Sequence, residues 1–176
     1  MRSVLLISAL ALTSALAGAA RAQDTPAQPG TLAYDKGVWM RLLEHHTKIR
    51  RELRHLENGV EATTESDDPA IAALIRDHAL AMQRRMNLKA RVRVWDPVFL
   101  ELFEHADKVR LEVTPTEKGV RIVETSDDPH VVMLLRSHAA GLSDFVREGF
   151  EASAKATPYW HERTVWTPID GAALNP

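Results

Sequence analysis

The sequence predicts an α+β domain of tandem helix–β-hairpin–helix repeats, whose two hairpins form one pseudo-two-fold, four-stranded antiparallel sheet covered by helices. Three observations carry this. Residues 44–79 align on residues 104–139 at a constant offset of 60 without a gap, and 16 of the 36 positions are identical, where chance gives about two or three. Each copy opens with apolar residues at helical spacing and passes into strict alternation. Each alternating stretch then ends at the same tetrapeptide, Ser66-Asp67-Asp68-Pro69 and Ser126-Asp127-Asp128-Pro129.

Residues 1–22 read as an export signal, with Arg2, the apolar run Val4 to Ala17, and Ala20-Arg21-Ala22 as a small-x-small cleavage site. The run is shorter than the roughly 20 apolar residues of a membrane span. A periplasmic protein without a membrane anchor is therefore expected. Residues 23–34 are polar and rich in proline and glycine, a lead-in without periodicity. The domain then occupies residues 35–154, as repeats 35–94 and 95–154.

In the first repeat Trp39, Leu42, Leu43 and His46 fall on one helix face from Gly37 onward, matched by Phe99, Leu102, Phe103 and Ala106. Asp96-Pro97 supplies the cap and first turn of the second opening helix. The hairpins follow. Val109, Leu111 and Val113 alternate with Arg110, Glu112 and Thr114, and Asn58-Gly59 gives the first hairpin the signature of a tight turn with positive φ angles. Arg51 stands where the second copy has Leu111, so the first strand is expected to be the less buried one, at an edge open to pairing with another chain.

The Ser-Asp-Asp-Pro segments read as helix starts, with Asp68 or Asp128 accepting from free amides and proline in the first turn. Helices over 69–86 and 129–150 are predicted. The remaining tail, 155–176, holds Pro158-Tyr159-Trp160-His161 and Val165-Trp166-Thr167-Pro168, an aromatic but aperiodic strap. The tetrapeptide followed by Ile75-Arg76-Asp77-His78-Ala79 or Leu135-Arg136-Ser137-His138-Ala139 resembles a pattern of secreted bacterial proteins of unassigned function. That resemblance spans residues 36–150 and implies export and duplication.

Composition narrows the chemistry. There is no cysteine, which excludes disulfides, thiolate zinc sites, iron–sulfur clusters and covalently attached haem. Without the first 22 residues, 20 basic and 24 acidic side chains remain, interspersed along the chain, so a nucleic-acid role is not expected. The basic run Arg84, Arg85, Lys89, Arg91 and Arg93 lies where a helix ends, a place that favours cations. No metalloprotease helix, phosphate loop, dinucleotide fingerprint or nucleophile elbow is present. A binding role is favoured over an enzyme.

The histidines carry the remaining signal. His78 lies in the stripe Ile71, Leu74, Ile75, Met82 and Met86, while His138 lies in the stripe Val131, Leu134, Leu135, Leu142 and Phe145. Both face inward, as His46 does in its own stripe. Such a histidine is ordinarily a hydrogen-bonded core residue, but three of them suggest a shared partner. The leading expectation is one copper or zinc ion on His46, His78 and His138, with Met82 one turn after His78 as a fourth ligand, serving metal handling or electron transfer. An alternative is haem b with His78 and His138 as axial ligands, and Arg76 and Arg136 meeting the propionates. A metal-free interaction module is the third reading. Expected partners are a metal ion or haem, with a second copy of the chain or a periplasmic redox protein beyond that. His55, His130 and His161 read as solvated.

Overall fold

The computed structural model describes residues 27–160. The predicted signal segment, residues 23–26 of the lead-in, His161 and the Val165–Pro168 stretch lie outside the described residues.

The first half runs through α1 (Leu32–Glu44), a 3-10 turn at His46–Lys48, the strands β1 (Arg50–Leu56) and β2 (Gly59–Glu65), and α2 (Pro69–Asn87). The second repeats that order with α3 (Pro97–Glu104), a turn at Ala106–Lys108, β3 (Arg110–Pro115), β4 (Gly119–Thr125) and α4 (Pro129–Glu148), and adds α5 (Phe150–Ser153). The four strands form one antiparallel sheet in the order β1-β2-β4-β3. Its seam pairs Gly59 with Thr125, Ala62 with Ile122, and Glu65 with Gly119. Adding 60 to one side and subtracting it from the other returns the same pairs, so the seam is symmetric under exchange of the halves.

Both seam glycines sit where a side chain would strike the neighbouring strand. A Cβ on Gly59 would stand 2.0 Å from the Glu124 carbonyl oxygen, and one on Gly119 would stand 2.0 Å from that of Thr64. This corrects the sequence expectation for Asn58-Gly59. The turn is Glu57-Asn58, Gly59 already opens β2, and neither Asn58 nor Gly59 is among the described residues with positive φ. Close approach, not turn geometry, demands the glycine.

The tetrapeptides cap their helices as expected. Asp68 accepts from the Ala70 amide at 3.0 Å and Asp128 from the His130 amide at 2.9 Å. Ser66 and Ser126 accept from the amides of those same aspartates, while Asp67 pairs with Arg50 and Asp127 with Arg110. Lys48 and Lys108 reach the capping carboxylates. Each motif thus ties a helix start to the first strand of its own hairpin.

Three boundaries differ from expectation. α1 begins at Leu32, five residues before Gly37, and so takes in part of the expected lead-in and Asp35. Asp35 is only 5% exposed and meets Arg85 of α2 at 2.6 Å. α1 also stops at Glu44, which leaves His46 in the 3-10 turn rather than on the helix stripe. α4 ends at Glu148, because Gly149 takes φ +60° and turns the chain into α5.

Apolar clusters join the helices to one another and to the sheet. Val38, Leu42, Ile71 and Ile75 close on Val120; Leu43 meets Phe99 and Phe145; and Leu102 meets Val131, Leu134 and Leu135. Burying each of these side chains contributes about 1.5–3 kcal/mol. The linker between the halves is fixed by Asp96, which is fully buried. Asp96 caps α3 through the Val98 amide and accepts from Arg93 Nε, from the Thr157 amide and from the Thr157 hydroxyl. Arg93, at φ +52°, donates to the carbonyls of Ser153 and Lys155. The strap continues over the second half, with Tyr159 donating to Glu101 and the Trp160 amide to Ser137 Oγ.

Candidate functional site

The stripes of α2 and α4 carry His78 and His138 inward, as their helical phase requires. Each ring meets the aromatic residue of its own repeat's opening helix. His78 stacks on Trp39 with centroids 5.5 Å apart and planes at 28°, and His138 meets Phe99 edge-on at 4.7 Å. Phe145 touches both Trp39 (5.3 Å) and Phe99 (6.3 Å), so a continuous run of rings joins the two histidines. Both Nδ1 atoms are sealed from solvent and lack a hydrogen-bond partner among the described residues.

Burial pushes His78 down to about 4, against the opposing pull of Asp35 and Asp77. It pushes His138 down to about 3, where Arg51 adds to the effect, Asp96 opposes it and His78 itself contributes. Both imidazoles are therefore neutral at ordinary pH, the state in which a ring nitrogen offers a lone pair to a metal.

The other expected ligands are placed differently. His46 Nδ1 lies 2.9 Å from the Val146 carbonyl oxygen, and its ring rests on Gly149, where an added Cβ would be 2.6 Å from Cδ2. Val146 is eight residues beyond His138 on α4, about 12 Å of helical rise. His46 thus ties the turn before β1 to the end of α4 instead of joining the pair. Met82 remains on α2 one turn after His78 and is half-buried. Among the described residues, no group of three or more His, Cys, Asp or Glu side chains is arranged to hold a metal ion.

Arg76 and Arg136 are committed to backbone. Arg76 reaches the carbonyl oxygens of Thr116 (3.4 Å) and Glu117 (3.2 Å), while Arg136 reaches those of Leu56 (2.9 Å) and Glu57 (3.2 Å). Their expected propionate role gives way to a clamp on the opposite hairpin. His55, expected to be solvated, is half-buried and packs on Trp160 at 4.7 Å. Burial lowers its pKa, with Arg136 adding to the effect.

Sequence reasoning missed two interior charges. β1 is an edge strand, as expected, but Arg51 points under the helices: Nη1 donates to Thr64 Oγ1 at 2.6 Å and Nε is sealed without a partner. Burial draws Arg51 down to about 10, with Glu124 acting against it. Glu124 on β4 is half-buried, and burial pushes its carboxyl up to about 7 against the pull of Arg51. The usable signal was the mismatch between the halves at inward strand positions, Arg51 against Leu111 and Glu124 against Thr64. No protein family, curated protein or solved structure matches the chain.

Proposed function

We propose that the chain is an exported, periplasmic binding protein that holds one transition-metal ion, copper ahead of zinc, between His78 and His138. The observation that carries this reading is the pair of sealed, unpartnered Nδ1 atoms at matched positions of the two halves. Leaving such an atom unsatisfied costs about 1–3 kcal/mol, and a shared ion would offset that cost at both rings. Their low proton affinity supports the reading, because protons do not compete for the nitrogens near neutrality. The thioether of Met82, one turn after His78, favours copper(I) over zinc. The haem alternative is less well supported, since Arg76 and Arg136, the arginines that would meet its propionates, are engaged by backbone carbonyls.

The test is titration of the purified, metal-free protein with copper(I) and zinc(II), read by calorimetry and metal analysis. One ion per chain is expected, with affinity falling at least about tenfold in His78→Ala and in His138→Ala and staying unchanged in His46→Ala. Absence of stoichiometric metal, or binding that survives both substitutions, overturns the reading. An intense band near ~400 nm after haem addition would support the alternative instead.

A further inference from the structure

Interior arginines among the described residues differ in what neutralises them. The Arg85 and Arg93 side chains are each 12% exposed and are paired with Asp35 and Asp96. Arg51 has no carboxylate within salt-bridge distance among the described residues. Its side chain donates to a neutral acceptor, the Thr64 hydroxyl directly across the β1–β2 pair, and Nε is sealed with no acceptor among the described residues. A desolvated guanidinium with a donor left unpartnered is costly, and its planar fork matches the geometry of a carboxylate or phosphate. The second half avoids the cost by placing Leu111 at the matched position.

We propose that Arg51, with Thr64 beside it, forms a site for one small oxyanion, a carboxylate or a phosphate group.

The anion is tested on metal-free protein. Acetate and inorganic phosphate are added separately at constant ionic strength, with the Arg51 Nε–H resonance and the melting temperature as readouts. A saturable resonance shift and a rising melting temperature are expected with at least one of them. Acetate alone identifies a carboxylate site and phosphate alone a phosphate site. Arg51→Leu, which installs the second half's residue, should remain folded and lose both responses. No saturable shift with either anion, or an unchanged response in Arg51→Leu, overturns the proposal. Anion binding without metal binding would remove only the metal reading, and metal binding without an anion response would remove only this site.

Discussion

Arg76 and Arg136 hold each other's repeats: the arginine of each long helix grips backbone carbonyls at the end of the opposite hairpin. A charged donor on two carbonyls contributes about 1–3 kcal/mol. Arg76→Ala and Arg136→Ala should each lower unfolding stability in urea by that amount. Because the two clamps share no partner, the double variant should show nearly the sum. Losses below about 0.5 kcal/mol would mean that the clamps are incidental.

The seam glycines are the most sensitive positions of the sheet. Gly59→Ala or Gly119→Ala places a methyl group 2.0 Å from a carbonyl oxygen of the facing strand, and backbone cannot yield as a flexible side chain can. Each should cost about 3 kcal/mol or more. Amide hydrogen exchange should locate the damage at the β2–β4 pairing. A mild loss, with that pairing still protected, would contradict the close approach.

Stability should depend on pH in two opposed ways. His78 and His138, at about 4 and about 3, refuse protons that unfolded histidines, with a value of 6.5, accept. Their contribution is complete above pH 6.5 and is lost as pH falls toward 4. Glu124 is raised from 4.5 to about 7, so its contribution is complete below 4.5 and is lost as pH rises through 7. Glu124→Gln stays neutral throughout. Its stability relative to the unsubstituted protein should therefore climb between pH 4.5 and 8, by about 1–3 kcal/mol. A flat or falling difference in denaturant titrations would show that the carboxyl is not desolvated.

Much of this fold could be read from pattern because the relevant forces are local. Asp68-Pro69 and Asp128-Pro129 start helices through amides one turn away, and the stripes through His78 and His138 follow from helical phase alone. What escaped depends on partners distant in sequence. Gly59 looked like a turn residue because its real constraint, the Glu124 carbonyl, lies on another hairpin. His46 looked like a ligand because its partner, Val146, is 100 residues away. Arg51 reads in sequence only as the mark of a less buried edge strand, yet alternation with Leu53 already places it on the inner face.

The Asp96 and Arg93 latch also sets an order of completion. The first half closes its buried ion pair, Asp35 with Arg85, from residues within its own helices. The positions matching Arg93 and Asp96 there are Ala33 and Lys36, so it has no such latch. The second half draws acceptors from Ser153 and Lys155 and donors from Thr157 onto that one pair. As the chain emerges from the ribosome, the first half has every residue of its own closure in hand by Asn87, while the linker beginning the second half stays unfastened until Thr157 has been made. Two related units are thus finished on unequal schedules, and the later one depends on the segment that follows α5.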